Sequence, residues 1–168
     1  MDETDRLIDD LGGLPAAVNR VDYRRRGFHL EVLLKAEQVR KLAGMLRDRE
    51  FYLSFVSAVH LLPAIEVLYQ FASFALPCRI MARAAVTEGG TMPTISDMFH
   101  GANWHERETR DMFGVVFTGH PYLEPLLLPE EDADLKPLLK AEGELKTVDK
   151  ISAQPKKDAA EPPAEEER

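Results

Sequence analysis

The chain has 168 residues, of which 45% are hydrophobic and 30% charged, and its formal net charge is -8. This length suits one compact domain with its own core better than two full domains. No apolar run approaches the roughly 20 residues that a membrane-spanning helix needs, so we expect a soluble chain. Nucleic acid is a poor partner for this composition, because binding a phosphate backbone requires a basic surface.

The N-terminus and the cysteine content limit the cellular location and the redox chemistry. Met1 to Asp5 is acidic and lacks the basic-then-apolar order of a secretory signal, so we expect a cytoplasmic chain with nothing removed. The single cysteine, Cys78, cannot by itself form an internal disulfide, a zinc site or a set of iron–sulfur ligands. Its preferred interpretation is a small buried side chain, although Arg79 beside it could activate the thiol. Any redox cofactor is expected elsewhere.

The first third of the chain predicts two helices and a strand. Thr4 to Leu11 is typical of a short helix, which a Gly-Gly pair ends. Phe28 to Val32 alternates apolar and polar residues, which is the period of a half-buried strand. From Ala36 to Asp48 the apolar residues follow helical spacing, so this segment predicts an amphipathic helix.

Three strand-like segments follow at 51–59, 64–74 and 79–86, and their consecutive order predicts an antiparallel meander. The sequence from Pro93 to Asp97 predicts a helix entrance near residue 95, with Thr94 as the capping residue. A further helix is predicted from an Asn103 cap to Phe113. The body is therefore expected to be a single α+β domain over 1–140, with helices flanking an antiparallel or mixed sheet.

The last 28 residues, 141–168, differ from the body in composition. They contain five basic and eight acidic residues, three prolines and no aromatic residue. Such a segment buries too little apolar area to offset the cost of ordering, so we expect a disordered acidic tail. The alternative is an arm that orders along a partner, anchored by Leu145, Val148 and Ile151.

Enzymatic interpretations of the histidines, acids and serines lack the required spacing. A metal site or a hydrolase triad could be drawn from His100, His105 and His120 with Glu106, Glu108 and Asp111, or with Ser54, Ser57 or Ser73. However, the His-Glu pair at 105–106 is followed by Thr109 where a zinc-protease helix has its second histidine. None of the serines lies in a nucleophile-elbow sequence.

A short basic cluster, Arg24 to Arg26, allows two interpretations. It could contact lipid headgroups or an acidic partner. An ordinary solvated turn is the preferred interpretation.

The segment from Ser96 to Pro121 concentrates aromatic, charged and histidine residues. On a helix, Glu106 and Arg110 are four residues apart, as are Arg107 and Asp111, so these charges can pair with one another. If they are buried, removing one partner leaves an uncompensated charge at a cost of roughly 3–5 kcal/mol. Gly114 predicts a bend before a short strand at 115–117, and the Gly-His-Pro run at 119–121 predicts a turn.

The sequence from Glu106 to Pro121, ERETRDMFGVVFTGHP, closely resembles the signature of the thirty-kilodalton subunit of respiratory complex I, the NADH-quinone oxidoreductase of bacteria. The resemblance extends through Pro93 to Ser96, Ala102 to Trp104 and the strand meander, and covers roughly residues 28–130. It implies an α+β domain in the peripheral arm, on the cytoplasmic side of the cell membrane, with a role in assembly and scaffolding.

The resemblance also implies partners and cofactors. The family's subunit holds no cofactor and packs on the large subunit that forms part of the quinone cavity, beside iron–sulfur subunits. NADH, flavin, iron–sulfur clusters and quinone are therefore expected in partner subunits, and membrane association is expected through the complex only. No catalytic, cofactor-binding or metal-binding residue is assigned to this chain.

The site that the resemblance suggests is a contact surface on and after the charged helix. Trp104 and Phe113 are expected to anchor the helix in the sheet or in a neighbouring subunit, while its charges fix registry. The residues assigned to this surface are Trp104, Glu106, Arg107, Glu108, Arg110, Asp111, Phe113, Gly114, Phe117, Gly119, His120 and Pro121. The alternative is that all of these residues serve only the domain's own fold.

The chain departs from the family pattern in two places. After the His-Pro pair the family usually continues with an acidic residue, a leucine and two basic residues, whereas here Tyr122, Leu123, Glu124 and Pro125 follow. His60 stands where the family commonly has an acidic residue. Membrane-bound hydrogenases and dehydrogenases with other electron donors carry diverged versions of this subunit, so these remain alternatives. A stand-alone soluble adaptor or enzyme is the third.

Leucines and prolines are dense between Tyr122 and Leu139. The prolines exclude one long helix, because each removes a backbone donor and restricts the preceding residue. We therefore expect an extended clamp that covers either the domain's own core or another chain.

Overall fold

A five-stranded mixed sheet with flanking helices forms the centre of the fold, and a pair of short parallel strands lies outside it. The computed structural model describes residues 3–14, 16–61, 64–86 and 90–140. The predicted tail at 141–168 lies outside these ranges. The α+β class with a mixed sheet confirms the prediction.

The elements follow one another along the chain with short connections. The helices are α1 (Glu3–Leu11), α2 (Tyr23–Arg26), α3 (Val39–Arg47) and α4 (Ala102–Phe113), and the strands are β1 (Ala17–Arg20), β2 (Leu30–Leu34), β3 (Tyr52–Leu61), β4 (Ala64–Ala72), β5 (Arg79–Val86), β6 (Thr91–Pro93) and β7 (Val116–Thr118). Single 3-10 turns cover Ala36–Gln38 and Glu130–Asp132. Within the described ranges, no helix has both the length and the apolar character needed to cross a membrane.

The strand order of the main sheet is β1-β2-β5-β4-β3. The predicted antiparallel meander of β3, β4 and β5 is confirmed. In addition, β2 pairs with β5 in parallel, and α3 lies in the connection that crosses from β2 to β3 at the edge of the sheet. Strands β1 and β6 were not predicted, because three or four residues are too short for an alternation to stand out.

The hydrophobic core lies between one face of the sheet and the helices. Leu7 and Leu11 of α1 and Leu42 and Leu46 of α3 are buried there, at the spacing that predicted both helices. Phe113, at the end of α4, joins the same cluster. The three longer helices therefore share one core with this face of the sheet.

The helix predicted to begin near residue 95 does not form. Strand β6 ends at Pro93, a turn follows, and α4 begins only at Ala102, with Gly101 rather than Asn103 in the capping position. The Thr94 hydroxyl accepts the Ser96 N–H at 3.1 Å, as a capping residue does, and also donates to the Glu106 carboxylate, but only a turn follows it. The Arg40 guanidinium also binds the Thr94 carbonyl at 2.5 Å and the Asp97 carboxylate at 2.7 and 2.8 Å.

Two side-chain environments that the sequence left open are settled. Cys78 is buried in the core cluster, as its preferred interpretation predicted. The arginine cluster forms the exposed helix α2, capped by Asp22 and ended by Gly27. Arg26 pairs with Glu31 at 3.2 Å, so this segment is a solvated turn with a local ion pair.

Gly114 gives a direct test of how α4 ends. It has a φ of 77°, and a Cβ at this position would lie 3.2 Å from the Lys136 side chain. We expect Gly114→Ala to lower the free energy of unfolding by about 1–2 kcal/mol, because the left-handed backbone disfavours a Cβ. Gly44 lies within α3 and a Cβ there meets nothing within 4 Å, so Gly44→Ala should stabilise by about 0.5–1 kcal/mol. Urea unfolding of both variants measures the difference, and equal effects would contradict this explanation.

Candidate functional site

The helix α4 combines buried and exposed charged residues on 12 positions. It packs mainly against β3, and the backbone N–H of Gly114 closes it on the Arg110 carbonyl. The predicted bend at Gly114 and the short strand that follows it are confirmed. This helix therefore lies between the sheet on one side and the segment 119–140 on the other.

Glu106 is fully buried and connects α4 to the segment after β6. Its carboxylate accepts hydrogen bonds from the Thr94 hydroxyl and, at 2.8 Å, from the Ile95 N–H. Burial raises the pKa of Glu106 to about 7, although these two hydrogen bonds favour the charged form. Burial and the nearby Glu106 charge also raise the pKa of the Tyr69 hydroxyl well above its usual range.

His120 fixes the turn that follows β7. Its Nδ1 accepts the Tyr122 N–H at 3.0 Å, so the proton of the neutral ring lies on Nε2, which donates to the Asn103 carbonyl at 3.2 Å. The side chain has no exposed surface, and burial together with the Arg107 charge lowers its pKa. The neutral His120 ring therefore joins the turn to α4 through one hydrogen bond at each ring nitrogen.

Asp111 organises the leucine-rich segment. Its Oδ2 accepts the backbone N–H groups of Leu126 and Leu127 at 2.8 Å and of Leu128 at 3.3 Å. Burial alone would raise the pKa of Asp111, but the three N–H donors and Arg110 hold it below the usual value. One buried carboxylate thus replaces the regular backbone pairing that the prolines prevent.

Arg107 binds the same segment from the solvent side. Its Nε donates to the Glu124 carbonyl at 2.9 Å and a terminal nitrogen donates to the Pro125 carbonyl at 2.8 Å. Its guanidinium lies 5.0 Å from the centre of the Tyr122 ring. Arg107 and Asp111 together hold residues 122–128 against one side of α4.

The remainder of the leucine-rich segment closes the end of α4. The Leu138 N–H bonds the Met112 carbonyl at 3.1 Å, and the Lys140 N–H bonds Nδ1 of His60 at 3.2 Å. Apart from one 3-10 turn the segment has no regular structure, so the prediction that it is not one helix is confirmed. His60, one of the departures from the family pattern, receives the last described residue of the chain.

The predicted pairing of charges within α4 is wrong. Glu106 does not pair with Arg110, nor Arg107 with Asp111; the acids accept hydrogen bonds from distant groups and Arg107 binds backbone carbonyls. The only ion pair of this kind among the described residues of α4 joins Arg110 to Asp111 at 3.6 Å. Charge spacing along the helix gave the wrong partners, because the buried carboxylates accept backbone N–H groups of other segments that would otherwise have no hydrogen-bond partner.

The residues assigned to the site separate into two groups, apart from Arg110 and Gly114, which are half-buried. Buried or bonded into the fold are Glu106, Arg107, Asp111, Phe113, Phe117 and His120. Trp104 is 66% exposed, and Glu108, Gly119 and Pro121 are also exposed. Thus Phe113 anchors the helix in the core, whereas Trp104 does not anchor it within this chain. Sequence reasoning gave Thr94 only as a capping residue and missed its hydrogen bond to Glu106.

The histidines and acids do not converge on a metal. Among the described residues, no group of three or more histidine, cysteine or acidic side chains could hold an ion. His120 and Glu106 are the nearest pair, with 3.9 Å between Nε2 and Oε2, and both atoms already bind backbone or hydroxyl groups.

Together, the fold and the helix define an α+β domain whose charged signature residues bind its own backbone and present an aromatic surface. The model of the family described as respiratory-chain NADH dehydrogenase, 30 kDa subunit, matches residues 32–146. The chain belongs to this family, which confirms the resemblance.

Relatives that carry the name of the corresponding NADH-quinone oxidoreductase subunit agree with this membership. The protein of Roseiflexus castenholzii is 41% identical over 110 residues, which are 61% of this chain and 63% of the relative. That of Azorhizobium caulinodans is 34% identical over 137 residues, 76% of this chain and 64% of the relative. The chain thus spans just under two thirds of these relatives.

A solved structure shares the fold. It is a chain of a membrane-bound sulfane sulfur reductase, described as an archaeal respiratory membrane complex, with a TM-score of 0.71 and 22% identity over 90% of both chains. The agreement covers the arrangement of sheet and helices.

Asp111 is expected to be the side chain whose loss costs most in this region. Asp111→Ala leaves three N–H groups without their acceptor, so we expect the free energy of unfolding to fall by about 3 kcal/mol. Asp111→Asn keeps an oxygen acceptor and should cost less. Glu108→Ala, on the exposed side of α4, is the control and should change stability by less than about 0.5 kcal/mol. Comparable losses for residues 108 and 111 in urea unfolding would refute this role.

Glu106 is expected to make stability depend on pH. Because its folded pKa of about 7 lies above the ordinary 4.5, the folded chain holds a proton that the unfolded chain has lost between these values. Stability from this group is complete below pH 4.5 and falls by about 3 kcal/mol as the pH rises through 7. Glu106→Gln should remove this slope.

His120 acts in the opposite direction, because its lowered pKa makes protonation favour the unfolded chain at acid pH. The measurement is therefore the difference between the wild type and Glu106→Gln in unfolding free energy from about pH 4 to pH 8. Parallel curves would show that Glu106 has the same pKa in the folded and the unfolded chain, and would contradict this expectation.

Proposed function

We propose that this protein is a cofactor-free scaffold subunit in the peripheral arm of a complex-I-like NADH-quinone oxidoreductase. In this role it packs on the large subunit that forms part of the quinone site and lies beside iron–sulfur subunits. NADH, flavin, iron–sulfur clusters and quinone bind in those partners. Family membership and the names of the relatives support the proposal.

The observation that carries the proposal is the use made of the charged residues on α4. Glu106, Arg107 and Asp111 all bind backbone or hydroxyl groups of the same chain, so they position segments rather than reactants. A reaction centre would need titratable groups that reach a substrate in a pocket. A helix that holds two segments rigidly is instead suited to presenting a preorganised surface to another subunit.

The surface presented has the composition of an interface. Trp104 is 66% exposed, Tyr122 59% and Leu127 59%, and Leu135 follows at 63%. Aromatic residues and arginine dominate the energetics of protein interfaces, and here Arg107 stacks on Tyr122 while its donors are fixed by two carbonyls. The partner therefore meets side chains whose conformations are already set, which lowers the entropy lost on binding.

The remaining parts of the role follow from the same assignment. The unit that binds the partner is the domain over 1–140, with 141–168 as an acidic extension. The net charge of -8 disfavours nucleic acid as an additional partner. Attachment to the cytoplasmic side of the membrane comes from the complex as a whole and not from this chain.

A second candidate is the equivalent subunit of a related membrane complex with another electron donor, such as a membrane-bound hydrogenase. The observation that favours it is the fold shared with a chain of a sulfane sulfur reductase complex, together with Glu124 and Pro125 where the NADH-linked family usually has basic residues. Both candidates assign this chain the same scaffold role. The identity of the companions separates them.

Trp104 provides the test of this interface. A tagged full-length chain, purified from its own cell in mild detergent, should bring down the large subunit and iron–sulfur subunits. Trp104→Ala should weaken that association by at least about 2 kcal/mol, or roughly thirtyfold. The matched control is Phe74→Ala, an aromatic residue that is 91% exposed on the β4–β5 loop and should have no effect. A wild-type chain that purifies alone, as a stand-alone adaptor or enzyme would, contradicts the proposal, and so do equal effects of both variants.

A further inference from the structure

A cavity at one end of the sheet lies apart from the signature helix. It has a volume of about 230 Å³ and opens where α1, the turn after α3 and the loop between β4 and β5 meet. None of the described residues that line it belongs to α4 or to residues 119–140. Helix α1, which contributes to the lining, also precedes the family match at 32–146. The cavity is therefore separate from the surface that we assign to the partner subunit.

The turn after α3 shapes the inner wall of this cavity. The backbone N–H of Phe51 bonds the Leu46 carbonyl at 3.0 Å, and the Glu50 backbone has a left-handed φ of 60°. This turn buries Phe51 in the core and leaves Arg49 exposed beside the cavity. A left-handed backbone is uncommon at residues other than glycine, and such positions are concentrated at functional sites.

Three charged side chains line the cavity, two arginines and one aspartate, which give a net charge of +1. Arg49 is held in place, because it donates to the Asp10 carboxylate at 2.8 Å and to the Met45 carbonyl at 3.1 Å. Arg6, by contrast, has no ion pair or hydrogen bond with any residue in the described ranges. A guanidinium without a counter-charge at the edge of a cavity favours an anionic ligand.

The arrangement of donors and charges selects among anions. A guanidinium offers two parallel N–H donors, which match the two oxygens of a carboxylate. One negative charge balances the cavity, whereas a dianion such as phosphate would bring excess negative charge close to Asp10. Ser73 adds a donor, because its Oγ already accepts the N–H groups of Ala75 and Leu76 at 3.2 Å and its own hydrogen stays available. A monocarboxylate is therefore the favoured head group.

The remaining wall of the cavity is largely apolar. Leu7 and Phe51 belong to the hydrophobic core and Leu76 packs against it, so these side chains form a close-packed wall. An enclosed apolar cavity of about 150 Å³ is large enough to bind benzene. The larger volume here leaves room for one ring or a short aliphatic chain together with its carboxylate.

We propose that this cavity is a binding site for a small organic monocarboxylate with an apolar body. Arg6 and Arg49 bind the carboxylate, and the Ser73 hydroxyl donates to it. Leu7, Phe51 and Leu76 contact the apolar part of the ligand. Because the ligand joins α1 to the β4–β5 loop, its binding stabilises the folded chain. This inference does not depend on the partner assigned above, since the site lies within one chain.

Benzoate is a suitable probe, because it combines a carboxylate with one aromatic ring. In the isotopically labelled full-length chain, benzoate should shift the amide signals of Leu7, Ser73 and Leu76 in a saturable way, with a Kd on the order of 1 mM. Benzamide has nearly the same shape without the charge and should bind at least about tenfold more weakly. Inorganic phosphate, compared at the same ionic strength, should also bind more weakly than benzoate.

The variant Arg6→Gln tests the unpaired guanidinium. It removes the charge without removing any contact within the described chain, and should weaken benzoate binding about tenfold. The matched control is Arg25→Gln, because the Arg25 side chain is 83% exposed on α2 and does not line the cavity. This control should bind benzoate as the wild type does. Unchanged amide signals of α4 show that each variant is folded.

Four results would overturn the proposal. The first is that benzoate causes no saturable shift, or shifts Leu61 and Leu138 instead of the cavity residues. The second is equal binding of benzamide, which would identify an apolar cavity without a role for charge. The third is equal or tighter binding of phosphate, which would identify a general anion site. The fourth is equal benzoate affinity of Arg6→Gln and Arg25→Gln.

Discussion

The buried carboxylate of Asp111 is the interaction on which the rest of the site depends. Residues 122–128 contain a proline and form no regular backbone pairing, yet three of their N–H groups converge on one oxygen. The carboxylate lies on a helix that the core holds through Phe113. The position of the outer segment, including the Tyr122 ring beneath Arg107, is therefore set from inside the domain. A rigid external surface follows from an internal hydrogen-bond network.

Glu106 applies the same principle on the opposite side of the helix. There a carboxylate accepts the Thr94 hydroxyl and the Ile95 N–H, which ties the segment after β6 to the helix. The two acids and Arg107 account for most of the charge in the signature without any contact that a reactant could use. This arrangement gives a physical reason for a charged motif in a subunit whose proposed role is to hold neighbours in register.

Periodicity in the sequence was sufficient for the longer elements. Helices α1 and α3 and the meander of β3 to β5 follow directly from apolar spacing, because burial of a stripe or a face decides both. The parallel pairing of β2 with β5 could not be predicted, since alternation does not reveal a neighbour. The hydrogen-bond partners of Glu106, Arg107 and Asp111 could not be predicted either, because they lie 11 to 18 residues away in sequence. Local charge spacing favours ion pairs within the helix instead.

The central claim is that the outer side of α4 contacts another subunit. Its most direct test is a photo-reactive amino acid at position 104 in the cell, followed by mass spectrometry of the cross-linked products. The account predicts a cross-link from residue 104 to the large subunit of a complex-I-like enzyme, and none to that subunit from the same probe at residue 74. Absence of any product from position 104 in the assembled complex, or identical products from both positions, would contradict it.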